Sequence, residues 1–340
     1  MTGLIPYGYG LGGTSVNNMS KLYESAEKAK KKFERLDIAT RLTRNPNYSI
    51  SFLFIQKTRI IAVYLLFTLI SIRSLRKSKQ ITRSQKNIGK GMDALVIAGG
   101  PSALRINLKE IKEDQIKKKV AVFAMNWYTH TELASQLTPD YYVLSDPITQ
   151  INRNGTYKGR QNVEIWSQVA KWTQTKLILP HNWFSYAKHV ENKISMYIDN
   201  RELIGFSKST DPTRPRGYSS LTALNAIAAA LYMGFDNVYL IGLDGDMFKA
   251  LRVDLENSLY FGNTNLADNA GSPLTPLSHL QPGGMADMLY NFSTEFLDIK
   301  RCFTDERIFN LNKNSLVDGF KKLDEHRFLN QQQLSVDDIK

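Results

Sequence analysis

The sequence predicts an α/β fold, a Rossmann-like and mostly parallel sheet with helices on both faces, preceded by a helical N-terminal segment. From Asp93 onward, short apolar runs alternate with helix-like stretches, which is typical of parallel sheets covered on both faces. The proportion of basic to acidic residues changes at the same point. Residues 1–92 carry 17 Lys and Arg against 4 Asp and Glu, whereas residues 93–340 carry 27 against 28. The net charge of +12 therefore belongs to the N-terminal segment.

Three parts follow from this division. They are a basic helical N-terminal segment (1–92), a Rossmann-like domain (93–325) and a C-terminal tail (326–340). The near-neutral main domain argues against a nucleic-acid-binding body, so we expect no nucleic-acid partner. The single cysteine, Cys302, excludes an internal disulfide and fits a reducing compartment.

The most hydrophobic stretch runs from residue 50 to residue 72. Its uninterrupted part, 60–72, has 13 residues, fewer than the ~20 that a spanning helix needs. Seven cations follow before the next acid, namely Arg73, Arg76, Lys77, Lys79, Arg83, Lys86 and Lys90. An apolar helix followed by a polybasic run favours a membrane-surface anchor, formed by residues 50–90 on anionic lipid. The alternatives are a true span and a helix packed on the main domain or on another subunit, which leaves a homo-oligomer open.

Six strands are predicted in the main domain from short apolar runs. They are Ala94–Ala98, Val120–Met125, Tyr141–Leu144, Lys176–Leu179, Val238–Ile241 and Arg307–Leu311. The clearest helix is Ser220–Met233, with serines at its start and Gly234 at its end as the expected caps.

The turn after the first strand is a candidate phosphate site. Gly99 and Gly100 permit a tight turn close to a ligand, and Ser102 is expected to cap a following helix. A strand, a glycine turn and a helix start together favour an anion, because backbone N–H groups and the helix dipole point at it. The alternative is an ordinary turn between strand and helix.

Small and polar residues follow each predicted strand. The positions are Gly99/Gly100, Asn126, Ser145/Asp146, His181/Asn182, Asp244 and Asn312/Asn314. Because ligands of open α/β sheets bind outside the carboxyl ends of the strands, this convergence predicts a site there.

Asp244 and Asp246 form a pair with the spacing of a Mg²⁺ or Mn²⁺ site. Asp244 could equally accept hydrogen bonds from a ribose or from nearby backbone.

The loop before the predicted helix contains Arg214, Arg216, Tyr218, Ser219 and Ser220. These residue types at a helix start suit an anionic group, and the alternative is a loop of solvated arginines. His279 lies in a loop rich in proline and glycine, where a histidine can act as a general base on a hydroxyl or be an ordinary surface residue.

Several blocks resemble a bacterial polysaccharide-biosynthesis family that shares a domain with archaeal pterin pyrophosphokinases. That family looks related to the bacterial sialyltransferases of glycosyltransferase family 42. The first blocks are residues 97–102, 124–128 and 139–147, and the later ones are 220–244, 260–262 and 308–316. The resemblance covers about residues 93–320 and leaves the N-terminal segment outside.

The resemblance implies a Rossmann-like glycosyltransferase that requires no cofactor and uses a CMP-activated acidic sugar: a sialic acid-like sugar, another nonulosonic acid or Kdo. It implies nucleotide contacts from Gly99, Gly100, Pro101, Ser102, Asn126, Asp146, Ser219, Ser220, Asp244, Asn314 and Ser315. Gly99 stands where the sialyltransferase turn has Asn. His279 matches the histidine that acts as base, with Asp287 downstream in the same block. Tyr260 would lie near the leaving phosphate, with Arg216 assisting.

We therefore expect an inverting glycosyltransferase of capsule or lipopolysaccharide synthesis, peripheral on the cytoplasmic face of the bacterial inner membrane. Its partners would be a nucleotide sugar, a glycan or glycolipid acceptor and the membrane surface. Two alternatives stay open. One is a Mg²⁺-dependent pyrophosphokinase or phosphotransferase with Asp244 and Asp246 as ligands. The other is a non-catalytic scaffold of a glycan assembly complex.

Overall fold

The structure is a computed structural model that describes residues 50–146, 149, 160–184, 187–219, 221–245 and 295–324. The chain divides into two compact units, Met1–Ile72 and Arg73–Lys340. The second unit contains an open eight-stranded sheet in which every pair of neighbouring strands is parallel. The predicted fold class is confirmed.

All six predicted strands are present. The strands are β1 (Asp93–Ile97), β2 (Val120–Met125), β3 (Tyr141–Val143), β4 (Lys176–Pro180), β5 (Ile194–Ile198), β6 (Val238–Ile241), β7 (Ile308–Asn310) and β8 (Lys321–Lys322). The sequence did not predict β5 or β8. β8 is only two exposed lysines at the sheet edge, and short, lysine-bearing edge strands resist pairing with other chains.

The strand order is β5-β4-β3-β2-β1-β6-β7-β8. The chain runs outward from β1 to β5 and then returns to the other side of β1 as β6. The direction of strand addition therefore reverses between β1 and β6, which is the point where open α/β sheets bind ligands.

Helices cover both faces of the sheet. The helices of the described residues are α1 (Ile50–Ser84), α2 (Leu108–Ile116), α3 (Glu132–Gln136), α4 (Arg160–Lys171) and α5 (Thr222–Met233), and residues 295–302 are also helical. Short 3₁₀ turns lie at Pro101–Arg105, Asn126–His130, His181–Trp183 and Lys188–Lys193. The alanine-rich α5 packs on β1, β2, β3 and β6 and shares a core with Val96 and Phe123. On the opposite face, Ile165 and Trp166 of α4 share a core with Val122.

The ends of α5 only partly follow the sequence prediction. Gly234 ends the helix with φ 78°, a left-handed conformation that favours glycine, so that cap is confirmed. The N-terminal serine cap is a correction, because the helix begins at Thr222 and the residue at its N-cap is Leu221, which makes no side-chain cap. Ser219 lies before the helix, and its backbone N–H donates to the Asp298 carboxylate at 2.8 Å.

The apolar stretch and most of the basic run form one helix. α1 is 35 residues long and ends beyond Arg83. Within the described chain, Lys57–Ser84 is the one helix long and apolar enough to cross a membrane, and 17% of its most apolar window is buried. Large apolar side chains are exposed along it, including Leu65 and Leu69. By length and composition alone, this helix is a candidate membrane-associating segment.

Within the second unit, the end of α1 protects the edge strand β5. The buried Thr82 hydroxyl donates to the Tyr197 carbonyl at 2.7 Å and accepts from the Tyr197 N–H at 3.0 Å. An edge strand otherwise presents such groups unpaired. One side chain thus satisfies both backbone groups of a buried edge residue.

We expect Thr82→Val to lower the free energy of unfolding by about 1–3 kcal/mol, because two buried backbone groups lose their partner while side-chain volume is kept. Chemical unfolding followed by circular dichroism measures the change. Ser84→Ala is the matched control, since its exposed hydroxyl bonds the Ile81 carbonyl of its own helix. Equal stability of the two variants would contradict the role of Thr82.

Candidate functional site

The loops that follow β1, β6 and β7 meet at the reversal point of the sheet and are joined through one carboxylate. Asp244 is 5% exposed. Its carboxylate accepts from the Ser102 N–H at 2.9 Å, the Ser102 hydroxyl at 2.5 Å and the Asn312 amide at 2.6 Å. The Ser102 hydroxyl in turn accepts from the Gly242 N–H at 2.9 Å. Asp244 therefore ties three strand ends together.

The glycine turn after β1 serves this network. Gly100 donates its N–H to the Gly242 carbonyl at 2.8 Å. A Cβ at Gly100 would lie 2.5 Å from the Asp244 carboxylate and 2.6 Å from the Gly242 carbonyl. The turn thus lies close to the β6 loop, and the predicted approach of its backbone to a ligand stays a prediction.

Ser102 does not cap a helix, which corrects the sequence prediction. The following element is a 3₁₀ turn, Pro101–Arg105, whose N-cap is Gly100. Ser102 lies inside that turn, buried, with its donors directed to Asp244. The anion at this turn is a carboxylate of the chain itself, and nucleotide contact by Gly99, Gly100, Pro101 and Ser102 stays a prediction.

Asp244 accepts three hydrogen bonds, and a carboxylate offers about four acceptor positions. One donor is a backbone N–H, as in the alternative to a metal site in which Asp244 accepts from nearby backbone, and the other two donors are side chains. The described residues contain no group of three or more His, Cys, Asp or Glu that could hold a metal ion. Asp246, the other proposed metal ligand, lies outside the described residues.

A second polar cluster joins the ends of β2 and β3 to the start of α5. Asn126 has φ 43°, a left-handed conformation that asparagine tolerates better than most residues. Its amide donates to the Thr222 hydroxyl at 2.9 Å, and that hydroxyl lies 2.6 Å from the Ser145 hydroxyl. The Tyr142 hydroxyl donates to the Asn126 carbonyl. The conformation of Asn126 is thus fixed from both sides.

Two amide oxygens, one in this cluster and one further along the first turn of α5, are buried without a donor. One is Oδ1 of Asn126 and the other is Oδ1 of Asn225, whose residue is 1% exposed. Asn225 follows Thr222 by three residues on α5, so the two share one helix face. Since buried polar atoms are nearly always satisfied, such acceptors indicate a missing donor from water or a ligand.

The segment before α5 differs from the predicted arginine loop. Arg216 is 3% exposed and pairs with Glu202, so it is a buried ion pair and not an open anion site. Arg214 is exposed and lies 3.6 Å from Asp211. The carboxylate of Asp298 accepts from the Ser219 N–H of this segment and pairs with Arg301 at 2.8 Å. Burial raises the pKa of Asp298.

The loop after β7 supports the β6 loop. Asn312 accepts from the Asn314 N–H at 3.0 Å, and the Ser315 hydroxyl donates to the Leu243 carbonyl at 2.7 Å. Asn312 and Asn314 are therefore brought to the reversal point, as predicted from their place after a strand, and Ser315 lies beside them. Asp146 follows β3, and its carbonyl accepts from the Thr149 N–H at 2.9 Å.

A buried charged cluster follows β4 and β5. The Asp199 carboxylate accepts two bonds from the Arg201 guanidinium, at 2.9 and 2.6 Å. His181 is 1% exposed and its Nδ1 accepts from the Asn200 N–H at 3.2 Å. Its Nε2 therefore carries the proton, and that atom has no partner. Burial lowers the pKa of His181 to about 4, against a raising effect of Asp199.

Ser220, Tyr260, His279 and Asp287 lie outside the described residues. The predicted roles of Ser220, Tyr260 and His279 stay predictions. Sequence reasoning missed Thr222 and Asn225. Their signal is their place in the first turn of a helix that starts beside the sheet end, where the sequence analysis predicts only a serine cap.

These features define an open α/β protein with its candidate site at the reversal point of a parallel sheet. A family model described as 6-hydroxymethylpterin diphosphokinase MptE-like matches residues 68–247, more than half of the chain, and the chain belongs to this family. The diphosphokinase-like part of the resemblance is thereby confirmed, while the relation to sialyltransferases stays a prediction. No curated protein and no solved structure matches the chain.

Proposed function

We propose that this chain is a nucleotide-dependent transferase whose nucleotide lies at the carboxyl ends of β1, β2 and β3, against the start of α5. The observation that carries the proposal is the pair of buried acceptors, Oδ1 of Asn126 and Oδ1 of Asn225. The exocyclic amines of cytosine and adenine are hydrogen-bond donors, so a nucleotide base can supply the donor that these oxygens lack, and the choice between CMP and ATP is left to the experiment below. The positive end of the α5 dipole favours the phosphate of the same nucleotide.

The finer proposal is inverting transfer of an acidic sugar from a CMP-sugar to a glycan hydroxyl. His279 takes the proton of the acceptor hydroxyl, whose oxygen attacks the anomeric carbon as the bond to the CMP phosphate breaks. Tyr260 donates to the leaving phosphate. Arg216, paired with Glu202, holds the segment that leads into α5 and acts on the reaction through it. The apolar part of α1 keeps the enzyme at the membrane, near a lipid-linked acceptor.

The family match favours a second candidate, transfer of a diphosphate with a Mg²⁺ ion. In that case Asp244 and Asp246 would hold the metal. The three hydrogen bonds at the Asp244 carboxylate leave about one acceptor position, so most of the coordination would fall to Asp246 and the substrate. This observation ranks the diphosphokinase second.

A thermal-shift panel on the full chain in detergent separates the two candidates. Each of CMP, UDP and ATP is tested with Mg²⁺ and with EDTA. We expect a shift that is selective for CMP and unchanged by EDTA. At a ligand concentration of 100 times Kd, binding adds about 2.7 kcal/mol of stability. A shift that needs ATP and Mg²⁺ together would support the diphosphokinase instead.

The CMP shift has a matched pair of variants. Asn126→Gly removes the amide while glycine keeps the left-handed backbone, so we expect the shift to disappear. Asn87→Gly is the control, because Asn87 also has a positive φ, 63°, and lies in the turn beside Tyr232. Loss of the shift in both variants, or in neither, would contradict the proposed site.

A further inference from the structure

A basic cavity lies at the other end of α5 from the proposed nucleotide site. It has a volume of about 430 Å³, and four cations line it, Lys79, Arg83, Lys86 and Arg214. Tyr232 also lines it. Tyr232 follows Asn225 by seven residues on α5, a rise of about 10 Å along a helix. The cavity is therefore separate from the acceptors at Asn126 and Asn225.

A second cavity continues the first along α1. It has a volume of about 420 Å³ and is lined by Arg76, Lys79, Gln80 and Arg83. Lys79 and Arg83 are four residues apart on one helix face and line both cavities. Two adjoining spaces thus share one pair of cations, an arrangement that suits an anion with more than one charged group.

Among the described residues that line the first cavity, four cations face one carboxylate. Asp211 is the acid of the first cavity, but its carboxylate accepts from the N–H and hydroxyl of Thr213, at 2.8 and 2.7 Å, and lies 3.6 Å from Arg214. Among described residues, no hydrogen bond or ion pair is made by the side chains of Lys79, Arg83 or Lys86. Like charges held together in this way repel one another until an anion binds.

The environment of Lys79 agrees with this. Burial lowers its pKa, Arg201 and Arg83 add to the decrease, and Asp199 and Asp211 oppose it. A multiply charged anion beside Lys79 would offset the effect of the two arginines. Arginine also presents a planar fork of donors that matches phosphate oxygens.

We propose that the pocket formed by Lys79, Arg83, Lys86 and Arg214 binds a phosphate group, carried either by a free diphosphate or by an anionic lipid headgroup. Lys79 and Arg83 lie in the last turns of α1, Lys86 lies in the turn after it, and Arg214 lies in the loop before α5. The two adjoining cavities give room for two phosphoryl groups.

The test uses the full chain in detergent and has two arms. In the first, isothermal titration measures binding of inorganic pyrophosphate without Mg²⁺ and with excess CMP, which fills the proposed nucleotide site. In the second, flotation compares vesicles of phosphatidylcholine with vesicles that also contain phosphatidylglycerol. The variant is Lys79→Ala with Arg83→Ala. The control is Lys171→Ala, since Lys171 is an exposed cation at the end of α4.

We expect the double variant to weaken pyrophosphate binding at least tenfold, or to lose the extra binding to phosphatidylglycerol vesicles, while the control changes neither. The first result identifies a free diphosphate as the ligand and the second a lipid headgroup. Circular dichroism verifies that the variant is folded. If the double variant and the control behave alike in both arms, the pocket does not bind phosphate. Because the CMP shift is measured separately, this failure is distinguishable from failure of the proposed function.

Discussion

Asp244→Ala is expected to lower the free energy of unfolding by roughly 3–5 kcal/mol. The carboxylate accepts two bonds from Ser102 and one from Asn312, and hydrogen bonds to a charged group contribute about 1.5–3 kcal/mol each, although not additively. Its removal leaves buried donors on two other loops without an acceptor. The loops after β1, β6 and β7 are then no longer joined at the reversal point of the sheet.

Urea unfolding measured by circular dichroism gives the change, with Asp318→Ala as control. Asp318 is also an aspartate of this part of the chain, but it pairs with Lys300 at the surface with 62% of its side chain exposed. Exposed pairs contribute about 0–1 kcal/mol. If Asp244→Ala unfolded at the same urea concentration as Asp318→Ala, the buried network would not stabilise the sheet. If EDTA lowered wild-type stability as much as the substitution does, Asp244 would be a metal ligand.

The fold could be predicted because its strands are buried on both faces. The central strands β1 and β2 read as short apolar runs, and such runs of 4–8 residues between turns are a reliable signal. β5 was missed for a different reason. Its sequence, Ile194-Ser-Met-Tyr-Ile198, follows a 3₁₀ segment without an intervening helix of usual length. The alternation of helix and strand, which found the other strands, therefore gave no signal there.

The sequence predicted where the residues of the candidate site lie more successfully than which groups they contact. Small and polar residues that follow parallel strands lie at one edge of the sheet, and Gly100, Asn126, Asp244 and Asn312 do so. Their partners are set by distances between loops far apart in sequence, such as the 142 residues between Ser102 and Asp244. A local sequence pattern contains no information about contacts between residues so far apart in the chain. For the same reason, the sequence could not show that Ser102 is already bonded to a carboxylate or that Arg216 is buried beside Glu202.

Acid is expected to destabilise the second unit through His181. Burial lowers the pKa of this histidine to about 4, against an ordinary value of about 6.5 in an unfolded chain. Above pH 6.5 the side chain is neutral in both the folded and the unfolded state, so its titration does not change the free energy of unfolding. Below pH 6.5 the unfolded chain binds a proton that the folded chain does not, so stability decreases until the pH reaches about 4. The decrease amounts to about 3 kcal/mol over that interval.

His181→Asn isolates this contribution. Asparagine removes the titration and offers an oxygen in place of the Nδ1 that accepts from the Asn200 N–H. Its unfolding free energy, measured from pH 7.5 to pH 4, is expected to fall less steeply than that of the wild type. Burial raises the pKa values of Asp93, Asp140 and Asp298, which has the opposite effect near pH 4, so the difference between variant and wild type is the relevant quantity. His130→Asn is the control, because His130 pairs with the half-exposed Glu164. Parallel curves for wild type and His181→Asn would mean that His181 takes up its proton as readily in the folded protein as in the unfolded chain.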